Sequence, residues 1–293
     1  MPLPLSQAIV EQWVSLTKGK FHTHEGWNEI GIESPEGKTY FRVILGRIEK
    51  NGIIRNLGGG WYRKIDDEAP LIDWQSANPN LTVDLVFPFG EHEFCKIFPK
   101  SIIIVAGSKN VGKTAYLYTF ISLNMKRFTL DLFNSETSPQ QMKERFEPLN
   151  IPQPAPFRTF ERYDNFADVI HPEHISVIDY LDLNSEVYLV GAEIDAIFRK
   201  LTTGCAVIGL QKPPPTKIVT KSGAEKIVER DLAYGGGFTA KRAVLYITMG
   251  SNRLKLLYVK TPRKSTVNPN NMTFSFDFND SGYFTNIQKS FGS

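Results

Sequence analysis

One run constrains this chain more than any other: IIIVAGSKNVGKTAYLYTF, residues 102–120. The unbroken apolar start reads as a short buried strand. It gives way to Gly107-Ser108-Lys109-Asn110-Val111-Gly112-Lys113-Thr114 and then to a helical stretch. This is G-x-x-x-x-G-K-[ST] in the strand–loop–helix setting that gives the pattern its meaning. The glycines let backbone N–H groups turn inward, and the helix N-terminus adds its dipole on the same anion. Lys113 is expected to reach β- and γ-phosphates and the Thr114 hydroxyl to hold Mg²⁺. The expectation is a nucleoside triphosphate site, with ATP and Mg²⁺ as cofactors. The alternative is a glycine-rich turn with a surface lysine.

From Phe87 onward strands alternate with helices, which predicts an α/β domain with a mostly parallel sheet. Strands are expected at 101–105, 127–133, 175–179, 206–210, 243–249 and 254–260, and a helix over about 186–201. Its stripe is Val190, Ile194, Ile197, Phe198 and Leu201. Residues 67–87 carry Pro70, Pro79 and several Asp and Asn without a period, and read as a linker. Residues 1–66 read as a separate small domain. Ser6 caps a first helix, Trp27 and Ile30 lie in a second, and Ser34-Pro35-Glu36 opens a third. That third helix buries Phe41, Ile44, Leu45 and Ile48 and ends at Asn51-Gly52. Strands at 53–57 and 61–65 follow, joined by Gly58-Gly59-Gly60. The remaining residues, 88–293, form the larger domain.

Hydrolysis needs an acid at the metal and a group that orients water. Asp179 ends the apolar strand 175–179 and is expected to hold Mg²⁺ with Thr114. Glu136 lies just past the strand after the phosphate loop, in the crevice at the carboxyl ends of the strands. It is read as general base, or alternatively as a first-turn helix acid. Gln211 ends another strand and is read as a γ-phosphate sensor, or alternatively as a polar strand end.

These residues resemble a family. NSETSPQQMKERF is similar to the segment around the catalytic glutamate of DnaB-type replicative helicases and related phage recombination ATPases. Glu136, Ser138, Gln141 and Arg145 are in register. VIDYL resembles that family's Walker B segment and GLQ its sensor strand, while RDLAYGGGFTAKRAVLYI and LLYVKTPRKS resemble its later strands. The resemblance covers about two-thirds of the chain. It implies a RecA-like P-loop core, ATP hydrolysis, DNA as partner and a homo-oligomer. It also implies that Lys260 and Arg263 reach a neighbouring subunit's nucleotide, though two residues separate them here where the family has one. With Lys264 they form an arginine-finger group or a solvated basic turn.

The region 1–66 reads as a winged helix: three helices, then a two-stranded wing. Lys38, Thr39 and Arg42 share the face opposite the apolar stripe and would enter the major groove of duplex DNA. Arg55, Arg63 and Lys64 on the wing would take phosphates. A protein partner is the alternative, because Glu33, Glu36 and Glu49 nearly balance these cations. Lys212, Lys217, Lys221, Lys226 and Arg230 suit the backbone of single-stranded DNA, or form a solvated loop.

Composition narrows the setting. The net charge of +3 is mild, and 41% hydrophobic residues suffice for a sizeable core. No apolar run is long enough for a membrane span, and MPLPLSQAIVEQW lacks the pattern of a signal peptide, so a cytoplasmic location is expected. Cys95 and Cys205 are read as reduced core residues, and His22 and His24 as cap or surface residues. Two functions compete with a DNA-dependent ATPase of replication or recombination in a phage or mobile element. One is an ATP-regulated winged-helix DNA-binding or adaptor protein with little hydrolysis, and the other is a small-molecule kinase.

Overall fold

The computed structural model describes residues 5–17, 19–66, 69, 71–181, 189–219 and 225–290, without the side chains of 218, 219, 226 and 227. The chain forms two compact units, Met1–Ala77 and Asn78–Ser293.

The first unit runs α1 (Gln7–Leu16), β1 (Lys20–His22), α2 (Thr23–Ile30), α3 (Pro35–Lys50), β2 (Ile54–Gly58) and β3 (Trp61–Lys64). Ser6 caps α1 through the Ile9 N–H, and Ser34 caps α3 through Gly37, with Pro35 in the first turn. The apolar stripe of α3 is buried, together with Val10, Trp13, Phe21 and Tyr62. Gly58, Gly59 and Gly60 all take positive φ, which turns β2 back on β3. The sheet has three strands, in the order β1-β3-β2, instead of the expected two. Sequence pattern misses β1 because three residues hold no period.

The second unit opens inside the stretch read as a linker. The Val83 N–H bonds the Ile97 carbonyl at 2.7 Å, and Leu85 and Phe87 are buried. Its strands and helices follow in chain order: β4 (Ser101–Gly107), α4 (Lys113–Asn124), β5 (Leu130–Asn134), α5 (Pro139–Phe146), β6 (Arg158–Glu161), β7 (Ile175–Asp179), α6 (Leu189–Lys200) and β8 (Cys205–Gln211). Then come β9 (Thr216–Val219), β10 (Glu225–Val228), α7 (Gly237–Ala240), β11 (Ala243–Gly250), β12 (Arg253–Val259), β13 (Thr273–Phe278) and β14 (Phe284–Ser290).

Nine of these strands form one sheet, β14-β13-β12-β11-β4-β8-β7-β5-β6. The run from β11 to β6 is parallel throughout, and β12, β13 and β14 extend it antiparallel at one edge. The unit is therefore α/β with a large, mostly parallel sheet. Along β4, Ile103 and Val105 join one apolar cluster with α4, while Ile102, Ile104 and Ala106 join another with α6. Burial on both faces is why this strand reads as a continuous apolar run.

Several expected bounds shift. The strand predicted from Arg127 begins at Leu130, because the Arg127 and Phe128 N–H groups bond the Asn124 carbonyl and finish the last turn of α4. The segment read as a loop after Gln211 holds the antiparallel hairpin β9–β10. Glu186, the expected helix start, lies outside the described residues. Among the described residues no helix is long and apolar enough to cross a membrane.

Candidate active site

Parallel strands end together, so the loops after β4, β5, β7 and β8 meet at one edge. Gly107 pairs with Gln211, and Asn134 with Asp179. Gln211 and residues that follow the other three strand ends, among them Lys113, Glu136 and Tyr180, line a cleft of about 880 Å³, within the roughly 300–1,000 Å³ of ligand pockets.

The phosphate-loop residues form the floor. Gly112 takes φ 96, and a Cβ there would lie 2.6 Å from Phe278 Cζ, so both backbone and space demand glycine. At Gly107 a Cβ would lie 2.8 Å from both Val111 Cγ2 and Lys113 Cγ. Asn110 takes φ 62. No side chain caps the N-terminus of α4, which leaves its first-turn N–H groups for an anion. Lys113 folds back over the loop, and its Nζ donates to the carbonyls of Gly107 at 3.0 Å and Ser108 at 2.9 Å. Burial lowers its pKa, opposed by the charges of Asp179 and Glu136.

Asp179 faces this loop from β7. Thr114 Oγ1 donates to Asp179 Oδ1 at 3.3 Å. The carboxylate is 1% exposed, and burial pushes its pKa up to about 6; the Thr114 bond opposes the rise and the Glu136 charge adds to it. Asp179 Oδ2 is buried with no hydrogen-bond partner, as is Ser108 Oγ. An acceptor left open beside a hydroxyl suits a small hard cation with oxygen ligands.

Glu136 stands exposed at the rim of the cleft, on a turn held from below. Asn134 Oδ1 accepts from the Thr137 N–H at 3.1 Å and from Thr137 Oγ1 at 2.6 Å, and Asn134 Nδ2 donates to the Thr137 carbonyl at 2.6 Å. The Ser135 N–H donates to the Asp179 carbonyl at 3.0 Å, which ties this turn to β7. Gln211, half-buried, lines the cleft, and the next N–H, of Lys212, donates to the Gly107 carbonyl at 3.0 Å. The structure thus brings together Gly107 through Thr114, Glu136, Asp179 and Gln211. No family model matches this chain, and no curated protein matches it in sequence.

Sequence reading missed one wall. Phe278, Asp280, Gly282 and Tyr283, from the β13–β14 hairpin, line the cleft beside Arg145 of α5. Tyr283 Oη donates to the Arg145 carbonyl. The signal was there: TFSFDF alternates with period two, and Asn279-Asp280-Ser281-Gly282 is a turn composition.

Other expected residues lie elsewhere. β12 runs antiparallel to β11, so Lys260 and Arg263 follow it to the sheet end away from the phosphate loop. Both are exposed, and Arg263 Nε donates to the His92 carbonyl at 3.0 Å. They add nothing to this chain's own cleft. Lys212 is not a solvent-facing cation: it is 2% exposed, and its Nζ donates to Glu229 Oε1 at 3.1 Å and Thr248 Oγ1 at 2.9 Å. Lys217 is exposed, 3.8 Å from Glu225, and Lys221 lies outside the described residues.

In the first unit, Lys38 Nζ and Arg42 Cζ lie 5.2 and 4.9 Å from the Trp27 ring centroid. Thr39 is exposed on the same helix, and Lys64 is exposed at the end of β3. Arg63 pairs with Arg55 on one side and Lys20 on the other, which sets three cations in a row on one face of the sheet. Lys20 was missed because it depends on β1. His22 caps α2 through the His24 N–H, and His24 is exposed. Among the described residues no group of His, Cys, Asp and Glu could hold a metal by itself. Cys95 and Cys205 are buried free thiols whose pKa values burial pushes up to about 12 and about 11.

Proposed function

We propose that this chain is a DNA-dependent ATPase of RecA/DnaB-like type, a homo-oligomer acting in DNA replication or recombination of a phage or mobile element. The observation that carries this reading is Asp179, buried, bonded to Thr114 and left with one oxygen unsatisfied, facing an uncapped glycine loop. The sheet order supports a RecA-like core, because β8 lies between the phosphate-loop strand and the Asp179 strand and sets Gln211 between them.

The residues fit Mg-ATP. Thr114 and Asp179 would hold Mg²⁺, which would supply positive charge against the negative charge of the phosphates. The α4 N-terminus and the N–H groups of 107–114 bind the phosphates. Lys113 exchanges its two carbonyl partners for phosphate oxygens. Glu136 accepts the proton of the attacking water, and Gln211 senses the γ-phosphate from the end of β8. Lys260 and Arg263, away from their own cleft, remain available to a neighbouring copy.

The first unit, read as a winged helix, supplies the duplex contact. Three adjacent cations across one sheet face repel one another unless an anion sits over them. Lys38 and Arg42 on α3 extend that surface. The same row supports the second reading, an ATP-regulated DNA-binding or adaptor protein.

Turnover measured with and without single-stranded DNA separates the two. The first reading expects stimulation by DNA and a loss of at least about a hundredfold in Glu136→Gln, with ATP still bound. Unchanged turnover in that variant rejects the base assignment. Near-zero turnover in the wild type, with nucleotide-dependent duplex binding, selects the second reading.

A further inference from the structure

A second cavity, of about 800 Å³, lies beside the β9–β10 hairpin on the face of the sheet that carries α6. Its walls include Pro214, Arg230, Tyr234, Gly235, Leu257 and Tyr258. Sequence alone places no aromatic residue between Lys212 and Arg230. The fold supplies two from elsewhere. Tyr258 arrives from β12 and is 46% exposed, and Tyr234 follows the hairpin and is 41% exposed.

The Tyr258 ring is backed by another ring, and the backbone that carries Tyr234 is pinned. The Tyr258 ring meets the buried Tyr246 ring edge-on, with centroids 6.0 Å apart. Tyr246 Oη accepts from the Ala233 N–H at 3.0 Å, which pins the turn that carries Tyr234. The charge is also arranged. Glu229 is paired with Lys212 at 3.1 Å and Asp231 with Lys255 at 2.7 Å. Among the described residues no acid is paired with Arg230, so it is the uncompensated charge of the rim.

We infer that this cavity is a base-stacking site for single-stranded nucleic acid, with Tyr234 and Tyr258 as platforms and Arg230 on the backbone phosphates. Exposed aromatic faces beside an unpaired guanidinium suit unstacked bases, which a duplex does not offer. The inference rests on the nucleic-acid reading above and adds to it the residues that take the bases. It also gives a route between the two sites. The Tyr234 N–H donates to the Gln211 carbonyl at 3.0 Å, and Gln211 lines the nucleotide cleft. The end of β8 and the segment that carries Tyr234 are thus joined by a backbone bond.

The test uses the full chain and fluorescence anisotropy with two probes, labelled oligo(dT) and an abasic strand of equal length. The wild type is expected to bind oligo(dT) more tightly than the abasic strand. Tyr258→Ala should weaken oligo(dT) about tenfold and leave the abasic strand unchanged. Tyr258→Phe, which keeps the ring, should bind oligo(dT) like the wild type, and Tyr234→Ala should repeat the Tyr258→Ala pattern. If the wild type binds neither probe, the nucleic-acid reading itself falls, and a protein segment becomes the better occupant. If it binds both equally, or if Tyr258→Ala weakens both alike or neither, the stacking site falls while the nucleic-acid reading stands.

Discussion

Glu91 shows how far a single buried group can set the behaviour of this fold. It is 0% exposed, accepts from Tyr116 Oη at 2.8 Å and from the Phe89 N–H at 2.9 Å, and takes no part in the cleft. Tyr116 belongs to α4, so the carboxyl joins the entry segment of the second unit to the helix behind the phosphate loop. Burial pushes its pKa from 4.5 to about 7. The folded chain then keeps a proton that the unfolded chain loses between pH 4.5 and 7, and stability falls as pH rises through that window. The difference corresponds to about 3 kcal/mol. Glu91→Gln copies the protonated form: its amide donates to Tyr116 Oη while its oxygen accepts from Phe89. Unfolding free energies from urea titrations at pH 5 and pH 8 should differ less in the variant than in the wild type, by about 2 to 3 kcal/mol. An equal difference in both proteins would show that Glu91 titrates normally.

At the scale of elements, the connection from β5 to α5 carries two separable functions. Asn134 straps the turn under Glu136, and Ser138 caps α5 in a reciprocal pair of bonds with Gln141. Ser138→Ala should cost about 1 kcal/mol and leave turnover near the wild-type value. Asn134→Ala frees the turn and should lower kcat at least about tenfold with KM little changed. Steady-state kinetics on both variants decides this, and equal kcat in Asn134→Ala would remove the strap from the site. The contrast also explains which parts were legible from sequence. The phosphate loop, the Glu136 turn and α3 are local, so their spacing shows without neighbours. β1 and β6 are too short to show a period, and they exist only because β3 and β5 offer free edges. β13 carried a period of two, but the place of the β13–β14 hairpin over Gly112 follows from the antiparallel turn-back of β12, which no local pattern encodes. The same turn-back takes Lys260 and Arg263 away from the cleft. Lys212 looked like a surface cation until the partner acid Glu229 and the hydroxyl of Thr248 were brought to it from residues 17 and 36 positions away.

For the whole molecule, net charge is a poor guide and its distribution a good one. The sum of +3 would attract nucleic acid only weakly. The fold concentrates the charge instead, by aligning Lys20, Arg63 and Arg55 across one sheet. On the proposed duplex-binding reading this row meets phosphates, and each phosphate contact releases counterions. Duplex affinity should therefore fall steeply with salt. The double variant Arg55→Gln/Arg63→Gln should make the plot of log affinity against log salt shallower by about two. The loss should be alike for unrelated duplex sequences, because backbone contacts carry no sequence information. Arg42→Gln, on the helix face, should instead change the ranking of sequences more than the slope. A double variant with the wild-type slope would mean that the wing row faces a protein, and the adaptor reading would then gain over direct duplex binding.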